Sequence, residues 1–561
     1  MADPPSRTDW PGLTPGQTFV RDHRVQRPLS PLSFTSWFPI HSRAHRQVFE
    51  EFGIPVADFD HRHHLGRVYT RTVPLVDRGA DSGVPPPIVA RLLTRIVPSL
   101  RRRTANALRW QGSAPIRTLI EEWEREGRRE VHRRTGELRK RSLASLSDTE
   151  LAAHVDTVQA HLLRVAIDHF RLSLGAVAIP IGRLGLFVER RLGWSAGDVL
   201  ALTQGHGDAS RAQSGALGAL VASLGPERLH QSDIDPSWLT GDAEVAAYIE
   251  RFGFHAHLEL ADPTEAEDLE RLAQRLRRYG RRRADGTPTA DQLRTRALQA
   301  EERAAEMIPA VDRAEFQSLV ALARVGQPLG DETEGTVLTA LSLMRAIGVE
   351  VARRWVAAGG LAAPSDVWFL SLDELLAGLR SVERRPVVAD VIERRRAFEA
   401  GAAIRPPDHI GPPPQPLPRP SSVPARLRST LGASLWALNA TEGRPVAASV
   451  ERRITRGLAG SPGVATGPAR VVLHAGELSK VEPGDILICP TATATWSPAL
   501  GLASGLVTER GGPLSHAGIL AREFGIPAVL SAADATRRIP EGAPIRLDGA
   551  AGTVEALREP E

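Results

Sequence analysis

Between residues 404 and 424 the chain carries Pro406, Pro407, Pro412, Pro413, Pro414, Pro416, Pro418, Pro420 and Pro424. Each proline fixes its own φ, removes a backbone donor and pushes the residue before it out of the helical region. So dense a run is expected to exclude regular helix and sheet and to favour polyproline II. About twenty such residues would reach roughly 60 Å. The run therefore divides the 561 residues into two parts with separate cores, as the length also suggests. It suits a tether for a part that travels, although a passive spacer has the same composition.

Ahead of this run the pattern is helical. Ile88, Leu92, Leu93, Ile96, Leu100 and Leu108 recur at three- and four-residue intervals, and Pro98 should kink or divide that helix. Residues 119–138 are densely charged with opposite signs interleaved, which predicts an exposed helix. Ser147-Asp148-Thr149-Glu150 is an N-cap signal for a helix over 151–174. Further helices are expected over 212–224, 243–252, 264–279, 290–306, 313–323, 334–358 and 371–379. No period repeats, so a solenoid is not expected. Residues 1–26 are polar and proline-bearing and read as an arm. His61, His63 and His64 invite a metal site. Adjacent residues cannot all point at one ion, however, and no cysteine or carboxylate set completes the group, so a polar turn is expected.

Composition narrows the function classes. Lys and Arg number 70 against 66 Asp and Glu, a net charge of +4, and the two signs are mixed along the helices. That is no nucleic-acid footprint. A single cysteine, Cys489, excludes an internal disulfide and a multi-cysteine metal centre; it reads as a small buried side chain in a strand. No signal-like segment opens the chain. The longest apolar piece, 172–188, is interrupted by Pro180 and Arg183 and is short for a bilayer. The expectation is a soluble, cytoplasmic protein.

Beyond the proline run, 426–448 reads as a connector and 457–557 as a compact α/β unit. Its strands are predicted at 469–473, 485–489, 505–508, 528–530, 544–547 and 553–555, alternating with short helices. Residues 508–527 carry the chemistry. A β-prone run ends at Thr508, Gly511-Gly512 permits a sharp turn and close backbone approach, and a helix begins near His516 and stops at Gly525 and Pro527. Unpaired amides and the positive end of the helix dipole favour an anion there. An imidazole so placed can attack a phosphoryl group and retain it, because fixed donors already meet the charge. The plainer alternative is a histidine that merely caps a helix.

The run resembles the phosphohistidine signature of the swivelling domain in the phosphoenolpyruvate-utilising family, which includes pyruvate phosphate dikinase, phosphoenolpyruvate synthase and rifampin phosphotransferase. The likeness rests on Thr508, Gly511, Gly512, Ser515, His516, Ala521, Arg522 and the Gly525-Ile526-Pro527 exit. Upstream, 460–467 resembles the opening of that domain, and Cys489-Pro490-Thr491 with Trp496-Ser497-Pro498 resembles its middle. Pieces of the helical part resemble the family's acceptor-binding domain: Arg27-Pro28-Leu29-Ser30-Pro31-Leu32, residues 252–260 and residues 366–375. In 252–260 the family's His-Arg pair is displaced to Phe254-His255.

The resemblance implies a multidomain protein. An arm (1–26) precedes a large, mainly α-helical acceptor domain (27–404). A proline-rich linker and connector (405–456) then leads to a swivelling phosphohistidine domain (457–557). His516 would carry the phosphoryl group, with Thr508, Gly511, Gly512 and Ser515 holding its oxygens. His255, His257 and Glu259 are acceptor-site candidates on chemical grounds as well. Read as a strand, 254–260 puts all three on one side, where a carboxylate could orient an imidazole as general base. A solvated or structural polar group is the alternative.

Family members carry an ATP-grasp domain ahead of the acceptor domain. No glycine-rich loop with a lysine stands here, and the two lysines, Lys140 and Lys480, lie in no such loop. The expectation is a separate ATP-grasp partner that supplies ATP and Mg2+, with a small hydroxyl compound as acceptor and no metal held by this chain. The net reaction could be phosphorylation, or dehydration if phosphorylation activates the hydroxyl. The reading from another class is a non-catalytic binding or regulatory protein that retains the fold.

Overall fold

The computed structural model describes residues 14–64, 66–75, 96–230, 236–281, 288–381, 388–403, 406–443, 446 and 453–557. The expected apolar positions Ile88, Leu92 and Leu93 lie outside them. The chain is mainly helical with two sheets, and it divides into two compact units, each assembled from several segments.

The first unit comprises 1–171, 254–264 and 333–427. Its sheet has the order β2-β3-β1-β4, with β1 at Phe19–Arg21, β2 at Val56–His64, β3 at Arg67–Pro74 and β4 at His409–Ile410. The arm thus supplies a strand, and so does the proline run. His409–Ile410 pairs antiparallel with β1 despite the expectation that the run excludes sheet. It can do so because no proline stands at either position, and an edge strand needs bonds on one side only. Flanking contacts pin the segment further: Tyr69 donates its hydroxyl to the Pro407 carbonyl at 3.1 Å, Thr18 donates to that of Pro412 at 3.0 Å, and Arg21 pairs with Asp408 at 2.8 Å. Residues 407–412 are therefore anchored.

The histidine cluster is not a turn. His61, His63 and His64 lie in β2, paired register by register with β3 across the Gly66 turn. The long helix α1 (Pro31–Phe52) covers the hairpin, and period-two alternation turns His61 and His63 to the same face. His63 donates from Nε2 to the Leu29 carbonyl (2.8 Å), and His61 bonds Thr70 Oγ1 through Nδ1 (2.8 Å) and His41 Nδ1 through Nε2 (3.0 Å). A second long helix, α2 (Asp148–Leu172), brings Phe170 against His41 and His45. Polar-looking sequence is buried here because the rings of His41, His45, His61 and His63 pack as aromatics while at least one nitrogen of each finds a partner.

The second unit comprises 172–253, 265–332 and 428–561. It contains helices α3 (Ile179–Leu192), α4 (Ala196–Thr203), α5 (Asp208–His230), α6 (Leu269–Gly280), α7 (Ala290–Met307) and the first part of α8 (Arg313–Ala357). After α9 (Ala433–Glu442) comes an eight-stranded sheet of order β5-β12-β11-β7-β8-β9-β10-β6. The strands are β5 Ile454–Arg456, β6 Leu458–Ser461, β7 Val464–Val471, β8 Ile486–Cys489, β9 Gly505–Thr508, β10 Ala528–Leu530, β11 Pro544–Asp548 and β12 Thr553–Ala556. β7, β8, β9 and β10 run parallel; α10 (His516–Phe524) connects β9 to β10. The strands missed in the sequence, β5 and β6, are short and glycine-flanked, too brief to show alternation.

Two predicted helices, 313–323 and 334–358, are one continuous helix, α8, that runs through Gly326, Pro328 and Gly330. Three breakers in five residues argue for a gap. Packing overrides them: a Cβ on Gly326 would stand 1.7 Å from the Ala176 carbonyl oxygen, so only glycine allows that approach. Ala176 lies in a π turn, Ser173–Ala178, leading into α3. The helical runs 148–192 and 310–357 are long and apolar enough to cross a membrane by composition alone. Their most apolar windows are 67% and 78% buried within the fold, as core helices are.

The core of this unit does not respect the expected boundary at 457. Leu217, Leu220, Leu272 and Leu276 of α5 and α6 share one buried cluster with Leu487, Trp496, Leu506 and Leu520 of the α/β part. Tyr279 closes the junction, exchanging a hydrogen bond with Ser214 Oγ (2.9 Å) and donating to the Pro498 carbonyl (2.7 Å).

Candidate functional site

β9 ends at Thr508, whose side chain is wholly buried and whose hydroxyl has no hydrogen-bond partner. The chain then leaves the carboxyl edge of the parallel strands, where ligands of α/β sheets habitually bind. Gly511 takes φ +98°, a conformation that side chains disfavour. Gly512 lies against the end of α9: a Cβ there would stand 2.2 Å from the Ala440 carbonyl oxygen. The loop is held on α9 by two backbone bonds, Gly512 N–H to Thr441 O (2.7 Å) and Leu514 N–H to Ala440 O (3.1 Å). The connector thus forms part of the loop's support.

Ser515 is the N-cap of α10. Its hydroxyl accepts from the Gly518 amide (3.3 Å) and donates to the Gly512 carbonyl (2.7 Å), coupling the glycine turn to the helix start. His516 is the first helical residue, and Gly525 in the left-handed conformation ends the helix. The imidazole is 39% exposed, and its Nδ1 is 3.2 Å from Asp331 Oδ1 of α8, a carboxylate only 12% exposed. A carboxylate against one ring nitrogen orients the imidazole. The first-turn amides and the dipole of α10 point the same way as in any helix that receives an anion.

The helix is buried behind its histidine. Arg522 donates from Nε to the Gly460 carbonyl (2.8 Å), and burial pulls its guanidinium down to about 10. Glu523 has no exposed surface and accepts the Gly205 amide at 2.8 Å; burial pushes its carboxyl up to about 7. Cys489 is buried next to this loop's origin, its thiol pushed up by burial, and is inert.

The acceptor-site candidates look different. The segment 254–260 is irregular, not a strand, so alternation does not align its side chains. Glu259 is buried in the first unit as a structural acceptor. It takes the Ser30 amide (2.6 Å), the Ser30 and Ser33 hydroxyls (2.8 and 3.0 Å) and the Ala261 amide (2.9 Å). Burial raises its pKa, opposed by those donors. A carboxylate so engaged organises the start of α1 and is not available to orient a base. His255 faces α8, its ring 3.7 Å from where a Cβ on Gly335 would stand, and burial with neighbouring His257 lowers it to about 4. His255 and His257 therefore stay together, while Glu259 turns to a different task.

Sequence reasoning missed Asp331 and the role of Glu523. Asp331 fell in the presumed break between two helices. The signal available was Asp331-Glu332-Thr333-Glu334, a polar run inside an apolar helix.

An imidazole on a glycine turn and helix start, at the carboxyl edge of parallel strands, is an arrangement suited to meeting an anion. Residues 481–552 match the family described as the mobile domain of PEP-utilising enzymes. The chain is 44% identical over 101 residues to an uncharacterized phosphotransferase, YvkC, of Bacillus subtilis, a match covering 18% of this chain and 12% of that protein. It is 34% identical over 208 residues to a rifampicin phosphotransferase of Streptomyces sviceus (37% and 21%). It is 42% identical over 104 residues to a phosphoenolpyruvate synthase of Aeropyrum pernix (18% and 13%). The matched stretches thus span about a fifth or less of these relatives.

Proposed function

We propose that this protein is a phosphotransferase component in which His516 carries a phosphoryl group from a nucleotide-dependent donor to the hydroxyl of a small organic acceptor. The observation that carries the reading is His516 itself: a half-exposed imidazole at a helix start, backed at Nδ1 by Asp331 at 3.2 Å. Nε2 attacks the donor phosphorus; the P–N bond forms as the P–O bond to the nucleotide breaks, and the electron pair leaves with that oxygen. In the second step the acceptor oxygen attacks, the P–N bond breaks, and the hydroxyl proton passes to a general base. Thr508, Gly511, Gly512 and Ser515 are the proposed cradle for the phosphoryl oxygens, the orphaned Thr508 hydroxyl being the group with most to gain from one.

The donor is proposed to be an ATP-grasp protein that holds ATP and Mg2+ itself. Lys480 is paired with Glu477 (2.6 Å) on the α/β part, and Lys140 ends an exposed helix, so neither fits a phosphate loop. His255 and His257 remain the proposed acceptor-side imidazoles, with Glu259 removed from that role. If the product is a phosphate ester poised for elimination, the net reaction is a dehydration.

The test is intact mass after incubation with ATP and a candidate ATP-grasp protein. An acid-labile gain of one phosphoryl group, absent in His516→Ala, is the expected result. No gain with any donor, chemical ones included, would leave a binding or regulatory protein that retains the fold.

A further inference from the structure

Glu523 is at odds with ordinary helix chemistry. It is the eighth of nine residues of α10, where the dipole disfavours an anion, and it has no exposed surface. One oxygen accepts the Gly205 amide and the other, Oε2, is buried without a partner. A buried carboxyl is costly unless each of its oxygens finds a donor. A leucine or glutamine would fill the position at less cost.

Its surroundings suggest a role. Seven residues separate it from His516, two helical turns, so both side chains stand on one face of α10. The groups around it come from four elements. The Gly205–Gly207 turn supplies amides, with His206 between them bonded to the Thr203 carbonyl; α5 supplies Arg211; α7 supplies Arg294, which donates to the Gly205 carbonyl. α8 supplies Arg324, bonded to the Leu202 carbonyl and to Glu301, and Asp331, the carboxylate that holds His516. Asp331 and Glu523 repel one another when both are charged, and Arg211 opposes that repulsion.

We propose that Glu523 is a positioning residue for the carrier histidine: bonded to the turn that leads into α5, it seats α10 against that turn, and its charge governs how readily the His516–Asp331 pair accepts a phosphoryl dianion. A protonated Glu523 adds no charge to that of Asp331 behind the incoming phosphoryl group. An ionised Glu523 adds a second negative charge behind it. Burial places the change near neutral pH, so seating and loading become proton-linked. The inference rests on His516 being the carrier.

The test uses the full chain with potassium phosphoramidate, a small chemical donor that needs no partner protein. Loading of His516 is followed by 31P NMR from pH 6 to 9 in wild type, Glu523→Gln and Glu523→Ala. Glu523→Gln keeps the size and one acceptor but not the charge. The expected result is an inflection near pH 7 in the wild-type rate profile that is missing in Glu523→Gln, with loading at pH 8.5 at least threefold faster than wild type. Glu523→Ala should also lose the inflection, and hydrogen exchange at the Gly205 and Gly207 amides should quicken, which a charge effect alone would not produce. Loading of both variants with the wild-type profile overturns the inference and leaves the carrier reading standing. A wild-type protein that phosphoramidate never loads overturns both.

Discussion

Acidifying the protein should unfold the first unit well before carboxylate protonation would. Burial holds the imidazoles of His45 at about 3 and of His61, His161 and His255 at about 4, against an ordinary value of 6.5. His41, deeper still, lies well below its usual range for the same reason. A histidine with a depressed folded pKa stays neutral in the fold while the unfolded chain takes up its proton. Its stabilisation is therefore complete above pH 6.5 and lost as the pH falls from 6.5 toward 4. One unit below the unfolded value, each such group has lost about 1.4 kcal/mol. Four together lose about 6 kcal/mol at pH 5.5, comparable to the whole stability of many domains, about 5–15 kcal/mol.

The assay is hydrogen exchange read by mass spectrometry, with near-UV circular dichroism in parallel, from pH 8 to 4.5. Peptides from 31–64 and 148–171 should lose protection between pH 6 and 5. His45 offers the control, because its ring stacks on Phe170 with centroids 3.8 Å apart and phenylalanine preserves that contact. His45→Phe forgoes the bond from Nδ1 to the His41 carbonyl (2.9 Å) and will cost stability at pH 8. Yet its stability loss between pH 8 and 5.5 should be smaller than that of wild type by about 1.4 kcal/mol. A first unit whose protection is flat from pH 8 to 5 would refute the claim that these imidazoles are held neutral.

Glu259→Ala strips four donors of their acceptor and should destabilise the first unit by about 3–5 kcal/mol in urea unfolding, with loading of His516 unchanged. His255→Ala and His257→Ala should do the reverse: near-normal melting, His516 still loaded, and transfer from the loaded protein to acceptor abolished. Unchanged turnover would remove both from the site. Gly512→Ala drives a methyl group into the Ala440 carbonyl and should destabilise the loop by about 1–3 kcal/mol and slow loading, measured by melting temperature and by phosphoramidate incorporation.

Much of the α/β part was legible because its signals are local. A β-prone run, a glycine pair, Ser515 as cap and Gly525 as stop are decided within a few residues, and β9, α10 and β10 fall where they were expected. The same locality misled elsewhere. Gly326, Pro328 and Gly330 announce a break that a helix–helix contact overrides, and Asp331 was hidden inside it. His61 and His63 look solvated until α1, with Phe38 and Phe34, is laid over them. Glu259 looked chemical beside two histidines until its four donors, three of them more than two hundred residues away, were found around it.

The linear order of residues determined that an imidazole would sit at a helix start behind a glycine turn, because cap, turn and stop act over one or two helical turns. Only the tertiary structure decided which carboxylate meets that imidazole and which carboxylate is spent on holding α1. Those pairings join residues far apart in the chain, and burial, set by packing, decides what each charge there costs.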